Sequence, residues 1–225
     1  MTVFDVYATE YEQALAKNLR FIPGGTDHYY KNRIQILALC WGSENPPGKI
    51  LDFGGGVGLA IPFLHEKFPN AEISVTDESH ESLRVAQKRH SFVHAVDPTE
   101  LPKNHFDVAF VAGVLHHVEP TSRHAIVDQI ANTVTPDGLI VFFELNPINP
   151  VTQRLVQMCP FDNDAVLMKK SEVEGLISSD KRLVLERSHY TVFFPPLFKP
   201  LHRFEKYLAW CPLGAQYYVA VRKKS

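Results

Sequence analysis

The residue types best suited to chemistry lie at intervals through the middle of the chain. Asp52 precedes Gly54, Gly56 and Gly58 in the stretch KILDFGGGVGLAIPFL. Glycine admits positive φ and carries no Cβ, so a ligand can approach the main chain closely. A helix that follows such a turn offers free N–H groups and the positive end of its dipole. Dinucleotide-binding turns use the spacing G-x-G-x-x-G, and there the helix start meets a pyrophosphate. Here the spacing is G-x-G-x-G, with a carboxylate two residues before the first glycine. A fixed negative charge at that place repels a pyrophosphate and suits a cationic amino group. Asp77 follows Gly58 by about twenty residues, the separation at which a carboxylate can take both hydroxyls of a ribose.

These residues need elements to position them. Short apolar runs alternate with helical patterns from Ile50 onward: strands at Ile50–Phe53, Ala71–Thr76, Ser91–Ala95, Phe106–Val111 and Leu139–Leu145, and helices at Gly58–Phe68, Ser79–Arg89 and Thr121–Val134. That alternation predicts βαβ units and a parallel sheet covered on both faces, an α/β fold. In such a sheet, ligands sit outside the carboxyl ends of the strands. Each strand delivers polar residues to that rim: Asp52, then Asp77 and Glu78, then Asp97, then His116 and His117, then Glu144 and Asn146.

Two helices precede the sheet, at Asp5–Leu19 with apolar Val6, Tyr7, Tyr11, Leu15 and Leu19 at helical spacing, and at Asp27–Trp41. After Glu144 the proline-containing segment NPINPVTQRLVQMCPFDNDAVLMKK reads as a loop with a short helix at Val151–Met158. A helix at Ser171–Ser178, a strand at Arg182–Tyr190, a helix at Leu197–Leu208 and a strand at Ala215–Val221 complete the chain. The stripe Leu197, Phe198, Leu201, Phe204 and Leu208 is expected to cover the sheet rather than to touch a membrane or a lipid-linked substrate.

Composition bounds the alternatives. The 225 residues are 45% hydrophobic and 21% charged, enough for one domain with a sizeable core. A net charge of -2 gives no general attraction to nucleic acid. Cys40, Cys159 and Cys211 are far apart and form no C-x-x-C pair, which supports neither a disulfide framework nor a zinc site. The His116–His117 pair lacks the spacing and carboxylates of a metal shell. No signal sequence and no run of about 18 apolar residues is found, so the expectation is a cytoplasmic protein without stable membrane association, monomer or homodimer.

The set ILDFGGGVG, VTDES, AVDPTELP, FDVAFVAGVLHHV and TPDGLIVFFE, in this order, resembles the class I S-adenosylmethionine-dependent methyltransferases over residues 50–145. The resemblance implies a Rossmann-like, seven-stranded sheet of order 3-2-1-4-5-7-6 with the seventh strand antiparallel, and S-adenosyl-L-methionine as cofactor. It further implies that Gly54, Gly56 and Gly58 approach the methionine part and that Asp52 positions its ammonium group. Asp77 would hold the ribose, Glu78 would flank the adenine, Asp97 would receive the adenine amino group, and Ala112 with Gly113 would line the methionine side. The flanking segments YATEYEQALAKNLRF, NPINPVTQRLVQMCPFDNDAVL and PLGAQYYVAVRKK are similar to small methyltransferases of surface-polysaccharide and sugar biosynthesis. That likeness implies a helical cap over residues 1–45, with Tyr11, Tyr30 and Lys31 as candidate cofactor contacts, and an acceptor-side insertion over residues 146–180, all within a single domain.

A sulfonium is already a strong methyl donor, so the protein has to align an acceptor, exclude water and, for a hydroxyl or ammonium acceptor, supply a base. Histidine titrates in the useful range. Adjacent loop residues point in different directions, so His117 is taken as the catalytic histidine and His116 as a substrate contact. Glu144 is the second catalytic candidate, with a pKa raised by burial among apolar neighbours. Asn146, Asn149 and Arg154 are expected on the acceptor side. The expected function is methyl transfer to O or N of a small polar molecule, a sugar or glycan precursor favoured. The rival reading is a catalytically silent S-adenosylmethionine-binding or scaffold protein. The absence of an N-P-P-Y or D-P-P-Y motif where GVLHHV stands, with the charge, disfavours a nucleic-acid substrate.

Overall fold

A computed structural model describes residues 27–159 and 165–225. The helix expected at 5–19, and Tyr11 with it, lie outside the described residues. Among these, the strands are β1 (Lys49–Phe53), β2 (Glu72–Thr76), β3 (His94–Ala95), β4 (Phe106–Ala112), β5 (Val134–Leu145), β6 (Leu183–Thr191) and β7 (Gln216–Lys223). The helices are α1 (Asp27–Trp41), α2 (Ile61–Lys67), α3 (His80–Arg89), α4 (Arg123–Thr133), α5 (Pro150–Met158), α6 (Lys170–Ser178) and α7 (Glu205–Leu208).

The sheet has seven strands in the order β3-β2-β1-β4-β5-β7-β6, as expected. β1, β2, β3, β4 and β5 pair in parallel, and β7 runs antiparallel between β5 and β6. The order reverses between β1 and β4, so the carboxyl ends of these two strands open a crevice between the turns that leave them.

Residue alternation along the strands explains the two-faced core. Ile50, Val108, Phe110, Leu139, Val141 and Phe143 meet α1, α2 and α3 on one face, through Ile34, Leu37, Ile61, Leu64 and Leu83. Leu51, Phe53, Ala109, Val111, Ile140 and Phe142 meet α4 and α6 on the other, through Val127, Ile130, Val173 and Ile177. A strand buried on both faces has to be apolar at consecutive positions, which is why β4 and β5 read as FDVAFVA and LIVFFEL. The Ser79 side chain accepts the Ser82 N–H at 3.1 Å and starts α3.

Four boundaries differ from the sequence expectation. Of Ser91–Ala95 only His94 and Ala95 pair with β2. β5 begins at Val134, five residues early, because Val134 pairs with Phe106 across a register shift. α4 begins at Arg123 after a 3-10 turn at Pro120–Ser122. The helix expected at Leu197–Leu208 is a 3-10 stretch, Pro196–Phe204, kinked at Phe198, before the short α7. Pro200 lacks the N–H group an α-helix would use there. Its apolar stripe does not cover the sheet: Leu197 is 67% exposed, and Phe198, Leu201 and Phe204 are exposed as well. No described helix is long and apolar enough to cross a membrane.

Phe142 is fully buried at the centre of the sheet. Phe142→Ala is expected to lower the unfolding free energy by roughly 3–5 kcal/mol in denaturant titrations. A loss below about 1 kcal/mol would contradict a close-packed face between β5 and the α4–α6 layer.

Candidate active site

The turn after β1 is built by hydrogen bonds to the end of β2. The Gly54 and Gly55 N–H groups both donate to the Thr76 carbonyl, at 2.9 and 3.1 Å. Gly54 and Gly58 take φ of 68° and 78°, and a Cβ on either would lie 2.5 Å from Val114 Cγ2 or 2.7 Å from Ile61 Cδ1. Both positions therefore require glycine on two grounds, dihedral and space. Gly56 is different: φ is 54°, and a Cβ there would meet nothing within 4 Å, so its bare main chain faces open space.

That space is a cavity of about 430 Å³ at the carboxyl rim between β1 and β4. Asp52 reaches it from below with only 2% exposure, and its Oδ2 finds no hydrogen-bond partner among the described residues. Burial pushes the Asp52 carboxyl up to about 7; the nearby Asp77 charge adds to the rise and Arg33 opposes it. An orphaned buried carboxylate beside open main chain fits the ammonium end of an amino-acid ligand.

Asp77 stands opposite and is already anchored. Its Oδ2 accepts the Gly56 N–H at 2.8 Å and its Oδ1 accepts the Ser79 N–H at 2.9 Å. A carboxylate oxygen has two lone pairs, so accepting one N–H does not by itself stop it from accepting a ribose hydroxyl as well. Glu78, exposed, lines the cavity beside it. Asp97 does not line it: Oδ1 accepts the Thr99 hydroxyl at 2.6 Å and N–H at 2.8 Å, and Oδ2 lies 3.5 Å from His80 Nδ1. The hydrogen bonds from Thr99 and the His80 ring hold its carboxyl below the ordinary carboxylate range. The following residue, Pro98, does reach the cavity.

The far wall comes from the loop after β4. Ala112, Gly113, Val114 and His117 line the cavity. His116 and Glu144 do not; both are buried behind it, 3% and 1% exposed, with His116 Nδ1 2.5 Å from Glu144 Oε2. Glu144 Oε1 accepts the Leu115 N–H at 2.8 Å and the Val114 N–H at 3.2 Å. The sequence led us to expect a raised pKa for Glu144, and this is corrected. Burial does push the carboxyl up, but the His116 charge and hydrogen bond, with the Leu115 N–H, outweigh it and hold Glu144 below its ordinary value.

The residues expected on the acceptor side stand apart from the cavity lining. Asn146 is fully buried and donates to the carbonyls of Pro212 and Gly214 at 2.8 and 2.7 Å. Asn149 accepts the Thr152 N–H as the cap of α5 and donates to the Leu213 carbonyl. Arg154 is exposed on α5. From α1, Tyr30 lines the cavity, its ring stacked on Phe63 at 5.6 Å. Lys31 is exposed and faces the Phe63 ring from 5.9 Å.

Sequence reasoning missed Arg33, Ser122, Ile126 and Gln129, all of which line the cavity. Arg33 follows Tyr30 by one helical turn, and Ser122, Ile126 and Gln129 share one face at the start of α4, so helical spacing carried the signal. Gln129 donates to the Pro98 carbonyl at 2.7 Å and so ties α4 to the loop after β3.

A family model described as a methyltransferase domain matches residues 51–140. The chain is 30% identical over 118 residues to an O-methyltransferase of Penicillium aethiopicum, covering 51% of this chain and 28% of that protein. It is 29% identical over 153 residues to the demethylmenaquinone methyltransferase of Thermotoga maritima, covering 66% of this chain and 62% of that protein. The chain thus spans less than two thirds of the length of these curated relatives. In fold it is similar to the plantazolicin methyltransferase BpumL, solved with SAH and a triazolic desmethylPZN analog: TM-score 0.68 at 13% identity, covering 99% of this chain and 97% of that one. The strand order, the glycine turn over Asp52 and the matched stretch agree: residues 51–140 match a methyltransferase domain and lie within a seven-stranded Rossmann-like sheet.

Proposed function

We propose that this chain transfers a methyl group from S-adenosylmethionine to an oxygen or nitrogen of a small polar molecule. The observation that carries the reading is a single cavity bounded by Asp52, Gly56, Asp77 and Glu78 on one side and by His117 on the other. When bound, the cofactor supplies a methyl group on a positively charged sulfur. The chain's own residues would hold it: Asp52 the ammonium, the Gly54–Gly58 main chain the rest of the methionine part, Asp77 the ribose hydroxyls, Glu78 the edge of the adenine. Arg33 is a partner for the methionine carboxylate, and Tyr30 closes the cavity from α1. Of the N-terminal segment, the described helix α1 reaches the cavity through Tyr30 and Arg33.

His117 is the group in this wall able to take a proton from a hydroxyl or ammonium acceptor near neutral pH. Glu144 is assigned no proton transfer, since it lies behind the wall and is held ionised. Of the acceptor classes, oxygen accords with the Penicillium relative's name. A sugar or glycan precursor rests on the likeness of the flanking segments alone, and neither curated relative's name contains one.

Isothermal titration with SAH tests the cofactor reading, with micromolar affinity expected and no binding overturning it. Asp77→Ala should weaken that binding by roughly 100-fold or more, since charged hydrogen bonds are lost on both the ligand and the turn. Turnover is then sought with hydroxyl, amine and sugar acceptors; binding with no turnover on any of them favours the silent-binder reading. His117→Ala should lower kcat by roughly 10²-fold or more while SAH affinity is kept.

Asp52 adds a pH dependence with a defined sign. With its carboxyl at about 7 in the free protein, the group is neutral below that pH and ionised above it. SAH affinity should fall about tenfold per pH unit below 7, as the partner of the ammonium is protonated. A raised acid favours folding in its neutral form, so the stability it lends is present near pH 4 and lost as pH rises through 7. Ligand-free Asp52→Asn should therefore melt higher than the wild type at pH 8 and bind SAH poorly at every pH. A lower Tm at pH 8 would contradict the strained carboxylate.

A further inference from the structure

Four groups around the loop after β4 form a hydrogen-bonded set behind the cavity wall. Glu144, at the end of β5, accepts the Val114 and Leu115 N–H groups on one oxygen and faces His116 Nδ1 with the other. The His116 carbonyl accepts the Val166 N–H at 2.8 Å. Arg123, at the start of α4, spans the same place, donating from Nε to the Val118 carbonyl at 3.1 Å and from Nη2 to the Val166 carbonyl at 2.9 Å. The loop is thus held at 114, 115, 116 and 118, and His117 is the member of that run whose side chain lines the cavity beside Val114 and Val118. Its ring packs on the His116 ring, with centroids 4.2 Å apart at 45°.

We propose that the buried Glu144–His116 pair is a positioning device for His117: it sets the loop conformation and backs the His117 ring, so that this one histidine faces the methyl acceptor. Three physical points support this. A carboxylate that takes three donors from consecutive residues allows the loop a single arrangement, because any other leaves buried N–H groups unsatisfied. Glu144 is ionised, so His116 Nδ1 carries the hydrogen that points to it, which fixes the ring plane against which His117 rests. Neither residue lines the cavity, so any effect on turnover has to pass through the loop. The HH doublet is then a division of labour, with one imidazole turned into the core and the other into the site.

The inference rests on the methyltransferase reading and on His117 acting there, and the test separates the two. Glu144→Gln keeps the size and an acceptor oxygen but removes the charge that orients His116. In the folded variant, checked by circular dichroism, kcat is expected to fall roughly 100-fold, with SAH affinity by titration within about threefold of the wild type. Combined with His117→Ala, it should cost no more than His117→Ala alone, within about threefold, because both changes act through one group. Effects that multiply, a wild-type kcat, or a loss of SAH affinity that parallels the loss of kcat each overturn the proposal. One further measurement needs no turnover: the His117 Cε1–H resonance in proton–carbon NMR spectra of the whole chain. It should be one narrow signal in the wild type and shifted or split in Glu144→Gln and in His116→Gln. An unchanged His117 signal in both variants overturns the positioning role, whereas absent SAH binding in the wild type defeats the methyltransferase reading and leaves the NMR result to decide the pair.

Discussion

Burying the Asp52 carboxylate at the end of β1 without a partner for Oδ2 costs free energy that the rest of the sheet has to offset. The chain could have avoided the cost with an apolar residue, since Leu51 and Phe53 on either side are both core. It keeps the acid, and sets a second one, Asp77, close enough to push the first further toward its neutral form. A cation entering the cavity would relieve both penalties at once. The two-faced apolar packing of β1, β4 and β5 supplies the stability against which such a local cost can be held.

Glu144 shows that burial alone does not decide the state of an acid. It is as deeply buried as Asp52, yet its carboxyl is held below the ordinary value where that of Asp52 is pushed above it. The difference is in donors. Glu144 meets two N–H groups and an imidazole, whereas Asp52 Oδ2 meets none. Desolvation acts on both, and hydrogen bonds from fixed donors reverse its outcome in one. Two buried carboxylates on β1 and β5, either side of β4, thereby take opposite parts, one left open for a ligand and one satisfied behind the wall.

The donor side of the cavity was legible in the sequence because it is local. The strand–glycine–helix pattern, the spacing to Asp77 and the apolar runs of β4 and β5 each lie within one or two elements, and Asp52, Gly56 and Asp77 line the cavity while Asp97, after the short β3, does not. The acceptor side was not, because its contacts span long separations. Asn146 binds carbonyls at 212 and 214, Arg123 binds those of 118 and 166, and Glu144 binds the 114–116 run. A polar residue at a strand end looks the same in sequence whether it faces a ligand or anchors a loop. The Leu197–Leu208 stripe fails for another reason: its spacing is helical, but Pro200 withholds a donor that an α-helix would need.

The direction of β7 explains how that acceptor side is held. A parallel strand would bring its last residues to the carboxyl rim; β7 runs the other way and brings its first residues, with the turn that precedes them. Carbonyls from 212 to 215 therefore arrive next to the end of β5, where Asn146, Asn149 and Thr152 take them as acceptors. Gln216, the first residue of the strand, accepts from Arg33 at 3.1 Å, which ties α1 and the cavity wall to the same strand. β5 is thus fixed at its end on one side by the reversed strand and on the other by the loop that Glu144 gathers. The wall that carries His117 is the second of these supports, and its placement follows from the topology of the whole sheet.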